Sequence, residues 1–255
     1  MRRFFVPDSQ MHQSHAIVSG EEFHHLCHVL RLRVGDQVSL RDESGQEHHG
    51  VIASLSTTTA KVTILDTVPS ISTHVQLTLA LGLLKGQKMD LVIEKVTELG
   101  VDHIIPFTST FTVSQLSTER LSDRLSRWQR IAQSAAKQSG STMPQILAPM
   151  TLEEVCSAQS PHTTTLLFYE REQQSTLKTF ANEHQQISAL CVIVGPEGGF
   201  ASEEVKQAQS QGIHILGLGS QILRAETASI VAVALCRFLW DGETVPPLPH
   251  RGRIP

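Results

Sequence analysis

This 255-residue sequence has no C-x-x-C pair, no apolar run long enough to cross a bilayer and no strong excess of either charge. Each absence excludes a class of protein. The four cysteines, Cys27, Cys156, Cys191 and Cys236, stand far apart, which favours a reduced cytosolic protein over a disulfide scaffold. The most apolar late stretch, Ala228 to Trp240, contains Arg237 and is too short to span a membrane. The opening MRRFFVPDSQ has only three apolar residues between its arginines and Pro7, short of the core that a secretion signal needs. A net charge of −4 is unlike that of a protein that grips nucleic acid by overall basicity, so any such grip must come from local patches. Internal repeats and low-complexity tracts are also absent. The expectation is a cytoplasmic protein, in one large or two smaller domains, whose 40% hydrophobic content supports a packed core.

The pattern changes part-way along the chain. Residues 1–70 read as β-rich: VGDQVSLRD, EHHGVIASL and AKVTILDTV are short runs, the first two parted by the polar turn ESGQ. EEFHHLCHVLRLR reads as a helix with Ser19 as N-cap, giving a small barrel with one or two helices. TVPSISTH, residues 67–74, reads as a linker. From residue 71 to 245 strands alternate with helices, which predicts an α/β domain with a largely parallel sheet; residues 246–255 form a tail. The strands are VQLTLALGLL, VDHIIPF, TTTLLFYE, CVIVG and IHILGLG. The helices are KMDLVIEKVTELG, TERLSDRLSRWQRIAQSAAKQSG, EEVKQAQSQG and residues 225–240. In the long second helix Leu121, Leu125, Trp128 and Ala132 form an apolar stripe, with Arg120, Arg124, Arg127 and Arg130 mostly on another face. That basic face reads either as a solvated surface or as a contact for RNA phosphate.

Two glycine-rich loops follow late strands: VIVGPEGGF (192–200) and LGLGSQILRAET (216–227). Ligands of open α/β sheets sit at the carboxyl ends of strands, so both loops are well positioned for one. Neither is a phosphate loop, since no G-x-x-x-x-G-K-[ST] is present, and GLGSQI lacks the third glycine of the dinucleotide fingerprint. The second loop ends in Arg224, Glu226 and Thr227, a cluster that reads as catalytic or, alternatively, as a helix start with Thr227 capping and Glu226 favouring the N-terminus.

LLKGQKMDLVIEKVTELGV, IVGPEGGF and LGLGSQILRAETA, in this order, together with RRFFV and HHLCHVLRLRVGD near the start, resemble the bacterial 16S ribosomal RNA (uracil-N3) methyltransferase family of the SPOUT class. The resemblance covers nearly the whole chain. It implies a trefoil-knotted α/β domain, an N-terminal PUA-like RNA-binding barrel, S-adenosylmethionine as methyl donor, the small ribosomal subunit as partner, and a homodimer. It implies that the donor is held by Gly195, Pro196, Gly198 and Gly199, by Leu216, Gly217, Leu218, Gly219, Ile222 and Leu223, and by the strand end at Leu167 and Phe168. Uracil N3 is protonated at neutral pH and lies between two carbonyls, so its methylation needs loss of a proton and stabilisation of charge on oxygen. Arg224 suits the second task. Glu226 or Glu197 suits the first if its pKa is raised, and Glu226 has a structural reading too, paired with Lys85 or Lys88. Arg2, Arg3, Arg31, Arg33, Lys85, Lys88, Arg124 and Arg127 are the expected RNA contacts.

His24, Cys27 and His28 suggest zinc only superficially, because no second ligand pair stands at a recognisable spacing; no metal is expected. Glu94 and Glu98 read as structural or interface residues. The sequence departs from the family pattern at Phe111 or a neighbour, where arginine is common, at Lys137, where glutamate is common, and around Ser141, where the stretch is shorter and lacks an arginine. These departures bear on substrate grip and dimer contacts more than on methyl transfer. Two rival readings are a methyltransferase of the same class acting on another target such as a tRNA ribose, and a non-enzymatic assembly factor on an enzyme scaffold.

Overall fold

The structure, a computed structural model, describes residues 2–42, 45–68, 75–112 and 118–241. Residues 69–74 of the expected linker, the tail 246–255 and the side chain of Arg120 lie outside the described residues. The chain divides into two compact units, with the boundary between residues 72 and 73.

The N-terminal unit is a curled five-stranded sheet. Its strands are β1 (Arg2–Phe5), β2 (His15–Ser19), β3 (Gln37–Arg41), β4 (Glu47–Leu55) and β5 (Thr59–Val68), in the order β1-β3-β4-β5-β2. The β4–β5 ladder shifts register between His49 and Gly50 and again between Ile52 and Ser54. Such irregularities increase local twist, and here they bend the sheet into a half-barrel around Phe4, Val18, Leu26, Leu40, Ile52 and Val62. β3, β4 and β5 follow the expected runs. β1 and β2 were not legible, because four- and five-residue segments are too short to establish alternation.

The helix expected over EEFHHLCHVLRLR is shorter than that stretch. α1 (Gly20–His24) passes into a π-helical turn over His25–Val29. Ser19 stands at the N-cap, but its hydroxyl bonds the Gln10 side chain instead of capping. The turn closes with Leu32 N–H donating to Leu26 C=O, which sets Arg31 in the left-handed region at φ 53°. Glycine is the ordinary occupant of such a position. Arg31→Gly is therefore expected to stabilise this unit by up to about 1 kcal/mol, read by chemical denaturation of the full chain. A loss of stability would mean that the arginine side chain holds the turn.

The second unit is a seven-stranded sheet in which every strand pair is parallel. Its elements are β6 (Gln76–Gly82), α2 (Lys88–Glu98), β7 (His103–Thr108), α3 (Thr118–Ser139), β8 (Gln145–Ile146), β9 (Met150–Thr151), α4 (Leu152–Ser157), β10 (Thr164–Phe168), α5 (Leu177–Glu183), β11 (Ala189–Val194), α6 (Ser202–Ser210), β12 (His214–Leu216) and α7 (Ala225–Trp240). The order is β12-β10-β11-β6-β7-β8, with β9 also on β7. The sheet is buried on both faces, so its strands read as continuous apolar runs and alternate residues serve two cores. Leu77, Leu79 and Leu81 of β6, with Leu166 and Phe168 of β10, face α2, α3 and α7; Ala80, Leu167 and Ile193 face the opposite core around Phe107 and Phe200. In α3 the expected stripe points inward, with Trp128 2% and Ala132 0% exposed. Burial pushes the Cys191 and Cys236 thiols up to about 12, so neither is a nucleophile at neutral pH.

Candidate functional site

The carboxyl ends of β10 and β11 open onto a cavity of about 480 Å³, a size typical of small-molecule sites. The loop after β11 (195–201) and the loop after β12 (217–224) lie on either side of β10, because β10 is the strand between the other two. Phe168, Gly195, Pro196, Gly198, Gly199, Leu218, Gly219, Ile222 and Leu223 line the cavity, as do Arg224, Glu197 and Lys88. Leu167, Leu216 and Gly217 are not among its lining residues. Strand alternation turns Leu167 to the face opposite Phe168, Leu216 is buried in the core, and the Gly217 backbone is engaged by Ser175 and Leu177. Sequence reading missed Tyr169, Glu170, Gln221, Ala225 and Ala228, which also line it. Tyr169 and Glu170 were accessible to the rule about strand ends, since they follow β10 directly.

The paired glycines of GPEGG are required on different grounds, Gly198 by packing and Gly199 by its backbone conformation. A Cβ at position 198 would stand 2.6 Å from the Phe111 Cβ, and one at 199 would stand 3.0 Å from the Glu170 carboxylate. Gly199 also has φ +68°. The loop thus packs against Phe111, with the Glu170 carboxylate beside Gly199. Phe111 is itself fixed in a turn closed by Thr112 N–H to Ser109 C=O, and Thr110 N–H donates to Glu204 of α6. Gly198→Ala is expected to displace this wall at a cost of about 1–3 kcal/mol, and Phe111→Gly in the same chain is expected to restore it. Thermal melts of the two single variants and the double read the coupling; strictly additive losses would contradict the contact.

The charged groups form one cluster. Lys88, the first residue of α2, places Nζ 3.1 Å from Glu197 Oε1 and 3.7 Å from Glu226 Oε2. Partial burial alone would raise the Glu197 carboxyl. Hydrogen bonds from its own backbone and that of Lys85, with the Lys88 ammonium, outweigh burial and hold it below the usual carboxylate range. The raised pKa that a general base requires is therefore not met at Glu197. Because its folded value is depressed, the stability Glu197 contributes is present above its unfolded value and lost as pH falls through the folded one. Lys88→Met is expected to move that loss to higher pH, seen as an earlier fall of the melting temperature on titration from neutrality toward acid; parallel curves would contradict it.

Glu226 is paired with Lys88 and not with Lys85, and its Oε2 is buried without a hydrogen-bond partner among the described residues. Arg224 occupies the N-cap position of α7, exposed at the cavity. Thr227 is not the cap, because the helix begins at Ala225 and places it in the first turn.

The expected RNA contacts fall in two groups. Arg124 and Arg127 of α3 border a small cleft with Gly86 and Gln87, beside Lys85 and Lys88 in sequence. Arg127 is not simply solvated, since it binds Asp90 of α2 at 2.6 Å. Arg2, Arg3, Arg31 and Arg33 are exposed on the N-terminal unit, with Arg3 3.2 Å from Glu47. Among the described residues no group of three or more His, Cys, Asp or Glu side chains could hold a metal, and no described helix is long and apolar enough to cross a membrane. The His24 and His28 rings lie tilted against each other with centroids 4.8 Å apart.

The RNA methyltransferase domain family matches residues 72–237. The chain belongs to the RNA methyltransferase family. The family's PUA domain matches residues 18–65, which include Arg31 and Arg33. The ribosomal RNA small subunit methyltransferase E of Bacillus subtilis is 28% identical over 247 residues, covering 93% of this chain and 96% of its own. The protein of that name from Synechocystis is 31% identical, covering 94% and 78%. The crystal structure of the Neisseria gonorrhoeae methyltransferase E, bound to S-adenosylmethionine, superposes with a TM-score of 0.79 at 30% identity, covering 94% of this chain and 98% of that one. Both glycine loops, Arg224 and Glu226 fall within the methyltransferase match.

Proposed function

We propose that the protein transfers the methyl group of S-adenosylmethionine to N3 of a uridine in the 16S RNA of the small ribosomal subunit. The observation that carries this is the cavity at the strand ends, apolar along Phe168, Leu218, Ile222 and Leu223 and bordered by Arg224, Lys88 and Glu197. A cavity of about 480 Å³ with an apolar wall and a few charged groups fits an adenosyl sulfonium compound. When bound, S-adenosylmethionine supplies an electrophilic methyl on sulfur. Phe168 and the residues of both glycine loops hold the donor. Arg224 donates to a uracil carbonyl oxygen as charge spreads from N3. Glu226, with an oxygen lacking a hydrogen-bond partner, accepts the N3 proton; Glu197 stays ionised and holds Lys88 in position. Alignment of the two reactants contributes by itself.

The RNA is gripped by Lys85, Lys88, Arg124 and Arg127 and by the exposed arginines of residues 1–70, with residues 71–245 as the methyltransferase domain and 246–255 as a tail. That domain is trefoil-knotted in this reading. The support is the chain path: β12 lies at the sheet edge, yet α7, which follows it, packs on β11, β6 and α2. The protein acts as a homodimer. Leu235, Phe238 and Leu239 of α7, the second 83% exposed, and Leu91 of α2 are exposed apolar side chains that support a contact with a second copy. Light scattering is expected to give a dimer that Phe238→Glu splits. The cytoplasm suits four free thiols and a ribosomal substrate.

The substrate class is tested by transfer of labelled methyl groups to small ribosomal subunits, large subunits and tRNA from cells lacking the modification. Label confined to the small subunit is expected. Label in tRNA would overturn the reading.

A further inference from the structure

The carboxylates near the cavity are mostly engaged within the protein. Glu197 accepts from the Lys85 backbone and from Lys88, Glu226 lies 3.7 Å from Lys88, and Glu172 accepts the backbone N–H groups of Gln174 and Ser175 at 2.8 Å. Glu170 differs. It lines the cavity, yet among the described residues its carboxylate makes no hydrogen bond, and its ion pair with Arg171 Nε is long, at 3.9 Å. It follows β10, the strand between the two that carry the glycine loops, so it stands between those loops. Its carboxylate lies over Gly199: a Cβ there would be 3.0 Å from Oε1 and 3.4 Å from Oε2. The absence of a side chain at 199 therefore lets both oxygens sit at the cavity wall.

Glu170 is 36% exposed, so water satisfies its carboxylate, and a ligand that displaces this water must supply donors of its own. We propose that Glu170 is the residue that recognises the ribose of the methyl donor, accepting hydrogen bonds from its vicinal 2′- and 3′-hydroxyls. The inference rests on the donor reading given under the proposed function. Two adjacent oxygens on one carboxylate match two adjacent hydroxyls. The Arg171 guanidinium, 75% exposed and 3.9 Å away, leaves both oxygens free to accept from the diol. The apolar residues Phe168, Leu218 and Ile222 remain for the adenine and the methionine chain.

The test is calorimetric binding of S-adenosylhomocysteine, its 2′-deoxy and 3′-deoxy forms and its deaminated form to the full-length protein and to Glu170→Ala. Wild type is expected to bind each deoxy form about tenfold or more weakly than the parent, the size of a charge-assisted hydrogen bond. Glu170→Ala is expected to bind the parent about tenfold or more weakly and to lose its discrimination against the deoxy forms, while still discriminating against the deaminated form. Glu170→Gln keeps the shape and one acceptor, so an intermediate discrimination is expected, and it carries the comparison if the alanine variant melts early. Full discrimination against the deoxy forms in both variants would overturn the proposal. So would discrimination lost for the deaminated form instead. If folded wild type fails to bind S-adenosylhomocysteine at all, the donor reading falls and takes this proposal with it.

Discussion

Arg224→Ala is expected to slow methyl transfer about 100- to 1000-fold while leaving donor affinity within a few-fold of wild type. The argument is one of charge and position. The cavity takes a donor through apolar and backbone contacts, for which a guanidinium is not needed. Arg224 stands at the start of α7, exposed, with no ion pair among the described residues. Its neighbour Lys88 is held between two carboxylates, so Arg224 is the cation better able to meet charge that appears on the substrate only during reaction. A group whose interaction grows in the transition state lowers kcat when removed, with little change in ground-state binding. Arg224→Lys keeps the charge but loses the planar fork, and an intermediate rate is expected. Single-turnover transfer together with calorimetric donor binding separates the two effects. Equal losses in rate and donor affinity would make Arg224 a wall of the donor site and nothing more.

The largest expected loss of stability lies far from the cavity. Arg237 is 12% exposed near the end of α7 and ties three segments together. Its guanidinium donates to Val75 C=O at 2.7 Å, to Gly100 C=O, to Asp102 Oδ2 at 2.9 Å and to Asp241 Oδ1 at 3.1 Å. Asp102 in turn accepts the Leu77 N–H at 2.7 Å, so the network fixes the start of β6 against the turn before β7. Removing the cation leaves these acceptors and carboxylates uncompensated. Such truncations cost about 3–5 kcal/mol when fully buried. Asp102 is 38% exposed, so water recovers part of the loss, and about 3 kcal/mol is expected for Arg237→Ala. For a chain of this size that lowers the melting temperature by about 6–12 °C. A shift of a degree or less would mean that water replaces the arginine without cost.

The sequence made the parallel sheet legible because both faces are buried. LTLAL, LLF and CVIV are apolar without alternation, and each is bounded by a glycine or a helix signal. Gly100 and Gly140 marked the ends of α2 and α3, and both have positive φ. The short elements were not legible. β8 and β9 have two residues each, and α4 and α5 have six and seven, too few for any period to emerge. The glycine loops were visible as loops, but the reason for their glycines was not. Phe111 and Glu170 lie far from positions 198 and 199 in sequence, and only the folded chain brings them together. The carboxylates show the same limit. Glu197 and Glu226 looked equivalent as bases until the Lys85 backbone and Lys88 proved to hold the first. Arg237 gave no signal beyond being a charge in an apolar helix, because its partners other than Asp241 are two backbone carbonyls and an aspartate more than a hundred residues away.

The most direct measurement of the central claim is the identity of the methylated nucleoside. Purified protein, labelled S-adenosylmethionine and small ribosomal subunits lacking the modification are combined, and the RNA is digested and resolved by liquid chromatography and mass spectrometry. The account predicts that the label appears in 3-methyluridine and is lost with Arg224→Ala. Label in a ribose-methylated or carbon-methylated nucleoside, or transfer undiminished without Arg224, would contradict it.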